Sequence, residues 1–138
     1  MKKLICLLSI AWWVTVSANH TFEGQHLLLN LVDCNHTAIR DRESIKHEML
    51  KAIRKSKLKA LAYEDFYFDN GGYTLCILLS ESHATVHTYP ECDSCFIDVF
   101  GCGKQADLNA FEKCIKDYFS PQECSKMCMI RNQEMRVK

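Results

Sequence analysis

The chain has 138 residues, 48% hydrophobic and 25% charged, which suits one domain with a full core and excludes a multidomain assembly. Its 17 basic residues balance 17 acidic ones, so there is no general cationic field to hold nucleic acid and any partner must be recognised at a defined site. Nine cysteines, an odd number, leave at least one thiol unpaired in a monomer, and five glycines with two prolines exclude a low-complexity chain.

The N-terminus reads Met1-Lys2-Lys3, then an apolar run from Leu4 to Val16, then Val16-Ser17-Ala18 with small residues. This is the pattern of a secretory signal peptide over residues 1–18, leaving one domain at 19–138. The run is about 13 residues, short of the roughly 20 that span a bilayer as a helix, so no stable membrane span is expected. Cleavage after Ala18 would remove Cys6 and leave eight cysteines, an even number that permits disulfides.

His26 to Val32 is a short apolar run suited to a buried strand. Arg42 to Lys57 places Ile45, Met49, Ala52 and Ile53 at helical spacing among charged residues, which predicts an amphipathic helix with a solvated basic face. Ala62 to Phe68 and Tyr73 to Leu79, separated by Asp69-Asn70-Gly71-Gly72, predict a hairpin. Strands follow at His83–Tyr89, stopped by Pro90, and Cys95–Phe100, stopped by Gly101-Cys102-Gly103. Asp107 is an N-cap for a second helix carrying Leu108, Phe111, Ile115 and Phe119, ended by Pro121, and Met127 to Arg131 is a last strand. Two helices on one face of an antiparallel-rich sheet make an α+β two-layer sandwich.

Chemistry concentrates in Ser80 to Glu91, where an otherwise apolar hairpin runs into two histidines, two carboxylates and several hydroxyls. Alternation puts His83, Thr85, His87 and Tyr89 on one sheet face. From spacing alone this reads first as the polar solvent face of an edge strand.

The residues Glu81-Ser82-His83 followed, after Ala84-Thr85-Val86, by His87-Thr88-Tyr89-Pro90-Glu91 closely resemble the core motif of the self-cleaving, pyruvoyl-dependent S-adenosylmethionine decarboxylases of the bacterial and archaeal type. The resemblance extends to Gly24-Gln25-His26-Leu27-Leu28, to Phe68 with Gly71-Gly72-Tyr73-Thr74, and to Asp98-Val99-Phe100-Gly101-Cys102-Gly103. It covers nearly everything from residue 24 to about 131. It implies cleavage between Glu81 and Ser82, giving a β chain ending at Glu81 and an α chain whose first residue becomes a pyruvoyl group. That covalent cofactor would form a Schiff base with the substrate amine and act as the electron sink for decarboxylation. His87 matches the family's proton-transfer residue in processing, Cys102 its general acid in decarboxylation, and Thr74 a position where serine assists processing. Phe68 and Tyr89 match aromatics that contact substrate, and stacking suits a sulfonium or a purine. No metal is implied. The resemblance further implies a homodimer of processed protomers, a place in spermidine biosynthesis, and a cytoplasmic location, which stands against export by the leader.

Asn30, Phe66 and Asn70-Gly71-Gly72 depart from the family's usual residues around the pocket, and relatives exist that decarboxylate arginine or ornithine instead. Two other readings use the cysteines. Cys92 and Cys95 with Cys124 and Cys128 form two close pairs of the kind that hold structural zinc. Alternatively, the eight cysteines left after leader removal would staple an exported, non-catalytic binding protein.

Overall fold

The computed structural model describes residues 23–102 and 105–132. The leader expected at 1–18, Cys6 and Gly103 lie outside them. The elements in chain order are β1 (Glu23–Val32), α1 (Arg42–Lys55), β2 (Ala60–Tyr67), β3 (Tyr73–Leu79), β4 (His83–Tyr89), β5 (Ser94–Cys102), α2 (Leu108–Phe119) and β6 (Glu123–Asn132). Short 3-10 turns at Ala38–Arg40 and Pro90–Cys92 were not legible from periodicity. The strands form one sheet in the order β2-β3-β4-β5-β1-β6, and every neighbouring pair is antiparallel. Among the described residues no helix is long and apolar enough to cross a membrane.

Each helix begins where a carboxylate satisfies its first free amides. Asp41 accepts from Ser44 N at 3.0 Å, and Asp107 accepts from Ala110 N at 3.0 Å. Ile45, Met49, Ala52 and Ile53 of α1 and Leu108, Phe111, Ile115 and Phe119 of α2 are all buried, as the helical spacing predicts. They meet Leu27, Leu29 and Leu31 of β1, Leu75 and Ile77 of β3, Val86 of β4, and Ile97 and Val99 of β5 in one core. The basic face of α1 is partly engaged: Lys46 Nζ lies 2.9 Å from Asp65 Oδ2 on β2 and 5.2 Å from the Tyr63 ring centroid. That contact holds the Asp65 carboxyl below the usual carboxylate value, and the Tyr73 hydroxyl donates to the same oxygen at 2.7 Å.

β2 runs Ala60–Tyr67 where Ala62–Phe68 was expected, so Phe68 stands just outside the strand, and three larger expectations change. β4 lies inside the sheet between β3 and β5, so its polar face is not that of an edge strand. β5 continues past Phe100 to Cys102, because β1 starts early enough to pair Gly24 with Cys102. A Cβ at Gly24 would sit 2.6 Å from the Phe100 ring, which explains glycine there. β6 is a full ten-residue edge strand along β1, which defeats the zinc reading. Cys124 and Cys128 are four residues apart on an extended strand, about 13 Å at strand rise. Cys95 is separated from Cys124 by β1, both facing Leu31, and Cys92 is exposed in the turn after β4. All eight described cysteines are free thiols.

The helices cover one side of the sheet. The other side is bare, and Phe66, Leu78, Phe96 and Met127 are each more than half exposed on it.

Candidate functional site

β4 alternates strictly: Ala84, Val86 and Thr88 are buried toward the helices, and His83, Thr85, His87 and Tyr89 face the bare side. The predicted site residues fall into two groups at opposite ends of this strand.

The first group lies at the β3–β4 turn. Leu79 N donates to Ser82 O at 2.9 Å and Ser80 N donates to Lys59 O at 3.0 Å, pinning the tight turn to the segment entering β2. Within it the Ser82 hydroxyl oxygen is buried and is the only buried side-chain polar atom among the described residues with no hydrogen-bond partner. Such an atom is rare because its lost hydration is uncompensated. Cys102, at the end of β5, shares with Glu81 and Ser82 a cavity of about 390 Å³ that Lys57, Lys59 and Gln105 also line. Burial pushes the Cys102 thiol up, the Glu81 carboxylate pushes it further, and Arg131 opposes both. The thiol therefore stays protonated at neutral pH, which a proton donor requires. Gly101 lets the backbone beside it approach closely, since a Cβ there would lie 3.0 Å from the Ala106 side chain.

The second group sits at the far end. Thr74 and His87 are direct partners in the β3–β4 ladder, and Thr74 Oγ1 lies 3.0 Å from His87 Nδ1. In the tautomer where Nδ1–H donates to Thr74, the neutral ring keeps a lone pair on Nε2 as a base. Thr74, His87, Phe68, Tyr89 and Glu91 line a cavity of about 320 Å³. Phe68 is 46% exposed, so it is not a core residue of the hairpin. It is held edge-on to Phe66 with centroids 4.8 Å apart, and Tyr89 is held likewise to Phe96 at 5.5 Å. The loop behind Phe68 turns at Gly71, whose φ of +87° suits glycine, and Asn70 Oδ1 accepts from Gly72 N at 3.1 Å. Beneath Glu91, Arg40 donates to Pro90 O and to Asp93 Oδ1, tying the strand end to the turn after β1. The role of Glu91 is visible only here. Its place in the motif was plain, but that Glu91 lines the cavity depends on the Pro90–Cys92 turn.

His87 lies five positions after Ser82, about 16 Å at strand rise, β4 beginning at His83 between them. Within one chain the structure brings Ser82, Glu81 and Cys102 together, and separately Thr74, His87, Phe68 and Tyr89, but it does not bring the two groups together.

A family model described as S-adenosylmethionine decarboxylase matches residues 25–132. The chain is 35% identical over 81 residues to the S-adenosylmethionine decarboxylase proenzyme of Thermodesulfovibrio yellowstonii, covering 59% of this chain and 60% of that one. It is 34% identical over 82 residues to the proenzyme of Prochlorococcus marinus, covering 59% and 66% respectively. These matches span about three-fifths to two-thirds of the relatives' length. The crystal structure of the adenosylmethionine decarboxylase from Aquifex aeolicus superposes with a TM-score of 0.75 at 23% identity, over 86% of this chain and 99% of that one, and so shares its fold.

Proposed function

Because the chain belongs to the S-adenosylmethionine decarboxylase family, we propose that it is a proenzyme that cuts itself between Glu81 and Ser82 and then decarboxylates S-adenosylmethionine. The observation that carries this reading is the buried, unpartnered Ser82 hydroxyl in one cavity with Glu81 and a protonated Cys102. An oxygen with no hydrogen bond to give up is free to attack, and its position beside the Glu81 carbonyl carbon makes an N-to-O acyl shift the short path.

The shift forms an ester between the Glu81 carbonyl and Ser82 Oγ and frees the Ser82 nitrogen. Removal of the Ser82 α-proton then breaks the Cβ–O bond, releasing Glu81 as a carboxylate and leaving dehydroalanine. Tautomerisation, addition of water and loss of ammonia give a pyruvoyl group at position 82. Its fit to the site rests on the buried hydroxyl already set against the cavity. There it supplies an electron sink for loss of carbon dioxide from an α-amino acid. Cys102 supplies the proton that the substrate carbon needs afterwards.

His87 is the base for the α-proton, with Thr74 setting its tautomer. The roughly 16 Å between Ser82 and His87 at strand rise supports a site completed by a second copy of this chain, paired through the bare sheet face. A two-fold axis there would set the Ser82–Cys102 group of one protomer against the Thr74–His87 group of its partner, twice over. The apolar exposure of Phe66, Leu78, Phe96 and Met127 gives that interface its driving force. Substrate would enter the cavity of Phe68, Tyr89 and Glu91, where two aromatic faces and a carboxylate suit a cationic sulfonium nucleoside. The product would serve as aminopropyl donor in spermidine synthesis.

Denaturing mass spectrometry of the purified protein tests this reading. The expected result is two chains, the second beginning at residue 82 with a ketone in place of the amine, together with release of carbon dioxide from S-adenosylmethionine carboxyl-labelled with carbon-13. A single uncut chain would overturn it.

A further inference from the structure

Between the two groups the bare face carries a third cluster, to which the proposed function assigns no role. His83 on β4, Phe100 on β5 and His26 on β1 occupy one row across the sheet, and Asp98 lies one pleat along β5 on the same face. His26 Nε2 and His83 Nε2 approach the same oxygen, Asp98 Oδ2, at 3.2 and 3.3 Å. All three ligand atoms lie within 4.8 Å of one another. The imidazole planes stand at 87° with centroids 5.8 Å apart, so the rings meet around a common point and do not stack.

We propose that His26, His83 and Asp98 form a binding site for a first-row divalent transition-metal cation of the zinc class. Metal–ligand bonds of about 2.0–2.1 Å in tetrahedral geometry set neighbouring ligand atoms about 3.3 Å apart, the separation found on two edges of this triangle. Two imidazoles with one carboxylate select such a cation over magnesium or calcium, which take oxygen ligands. The carboxylate is already oriented, because Thr85 Oγ1 donates to its other oxygen, Asp98 Oδ1, leaving Oδ2 for the ion. Phe100 flanks both rings, with centroids 5.5 Å from His26 and 6.0 Å from His83, and narrows the choice of rotamers. The ligands come from three different strands, so the ion would tie β1, β4 and β5 together. In the single chain the His83 side chain is 45% exposed; in the dimer proposed above this side of the triangle faces the partner's sheet, which would bound the fourth coordination position.

The site is tested with the whole protein, stripped with chelator and titrated with cobalt(II) as the probe. Expected is visible ligand-field absorption saturating at about one equivalent per chain, without thiolate charge-transfer bands, and displaced by zinc. His26→Gln and Asp98→Asn should each weaken cobalt binding at least about tenfold, while His47→Gln, on α1, should bind as wild type. Circular dichroism of each variant confirms that the sheet is intact, and if Asp98→Asn fails to fold, His26→Gln alone decides. No saturable absorption, thiolate bands, or binding unchanged in the folded His26→Gln variant would each overturn the proposal. The readout is independent of cleavage, so an uncut chain that binds cobalt would fail the proposed function and leave this site standing.

Discussion

Removing the Ser82 hydroxyl should make the uncut protein more stable. The oxygen is buried without a partner, so Ser82→Ala takes away no hydrogen bond and relieves the desolvation cost of an unmade one, roughly 1–3 kcal/mol. The comparison must be between chains that are both uncut, because cleavage itself changes stability. His87→Ala, which blocks processing on this account, provides the background: its urea unfolding free energy is set against that of the Ser82→Ala/His87→Ala double variant. The double variant should be more stable within that range, with an unchanged m-value, showing that no change in exposed surface contributes. A double variant less stable by more than about 1 kcal/mol would mean that the hydroxyl has a partner in the folded protein. Ser82 would then not be poised for attack.

Cys102→Ala should still be cut but should lose at least about a hundredfold in turnover, measured as carbon dioxide release, because its proton is needed only after cleavage. The raised thiol pKa keeps the donor protonated through neutral pH, so the alkaline limb that Cys102 contributes should lie above the ordinary thiol value of 9.0, and a limb below 9.0 would contradict the environment described. Thr74→Val removes the hydroxyl partner of His87 and should slow processing roughly five- to tenfold, followed by mass spectrometry over time. Asp41→Ala should cost about 1 kcal/mol through loss of the α1 cap. Hydrogen bonds from Ser44 hold the Asp41 carboxyl below its usual 3.8, so this contribution is present above that value and is lost as pH falls through the lowered one. Parallel urea titrations at neutral and acid pH check both parts.

The helices and the inner strands were legible because their apolar positions repeat at 3.6 or 2 residues and their ends carry caps or turns. Ile45, Met49, Ala52 and Ile53 define one face of α1 from spacing alone, and β3 and β4 end where they were expected. The edges were harder. β6 is mostly exposed on both sides and shows little alternation, so only its Met127–Arg131 part stood out, and its full length depends on pairing with β1. β5 passes through Gly101 because a partner strand, not local propensity, supplies its last hydrogen bonds. In the site, the side on which His83 and His87 lie followed from alternation. Their distance from one another relative to Ser82 was implicit in the same count, yet what each faces was not. The Glu91 side chain and the meeting of His26 with His83 and Asp98 come from contacts remote in sequence, which no local pattern encodes.

In the proposed function the cleavage serine and its base come from different copies of the chain. This is tested most directly by co-expressing Ser82→Ala and His87→Ala chains carrying tags of different mass, with each variant expressed alone as control. Alone, both should remain uncut. Together, a mixed dimer holds one intact pairing of Ser82 from the His87→Ala chain with His87 from the Ser82→Ala chain, so the account predicts cleavage at Glu81–Ser82 in the His87→Ala chain and none in the other. Mixed dimers, verified by capture through one tag, in which both chains stay uncut would contradict it.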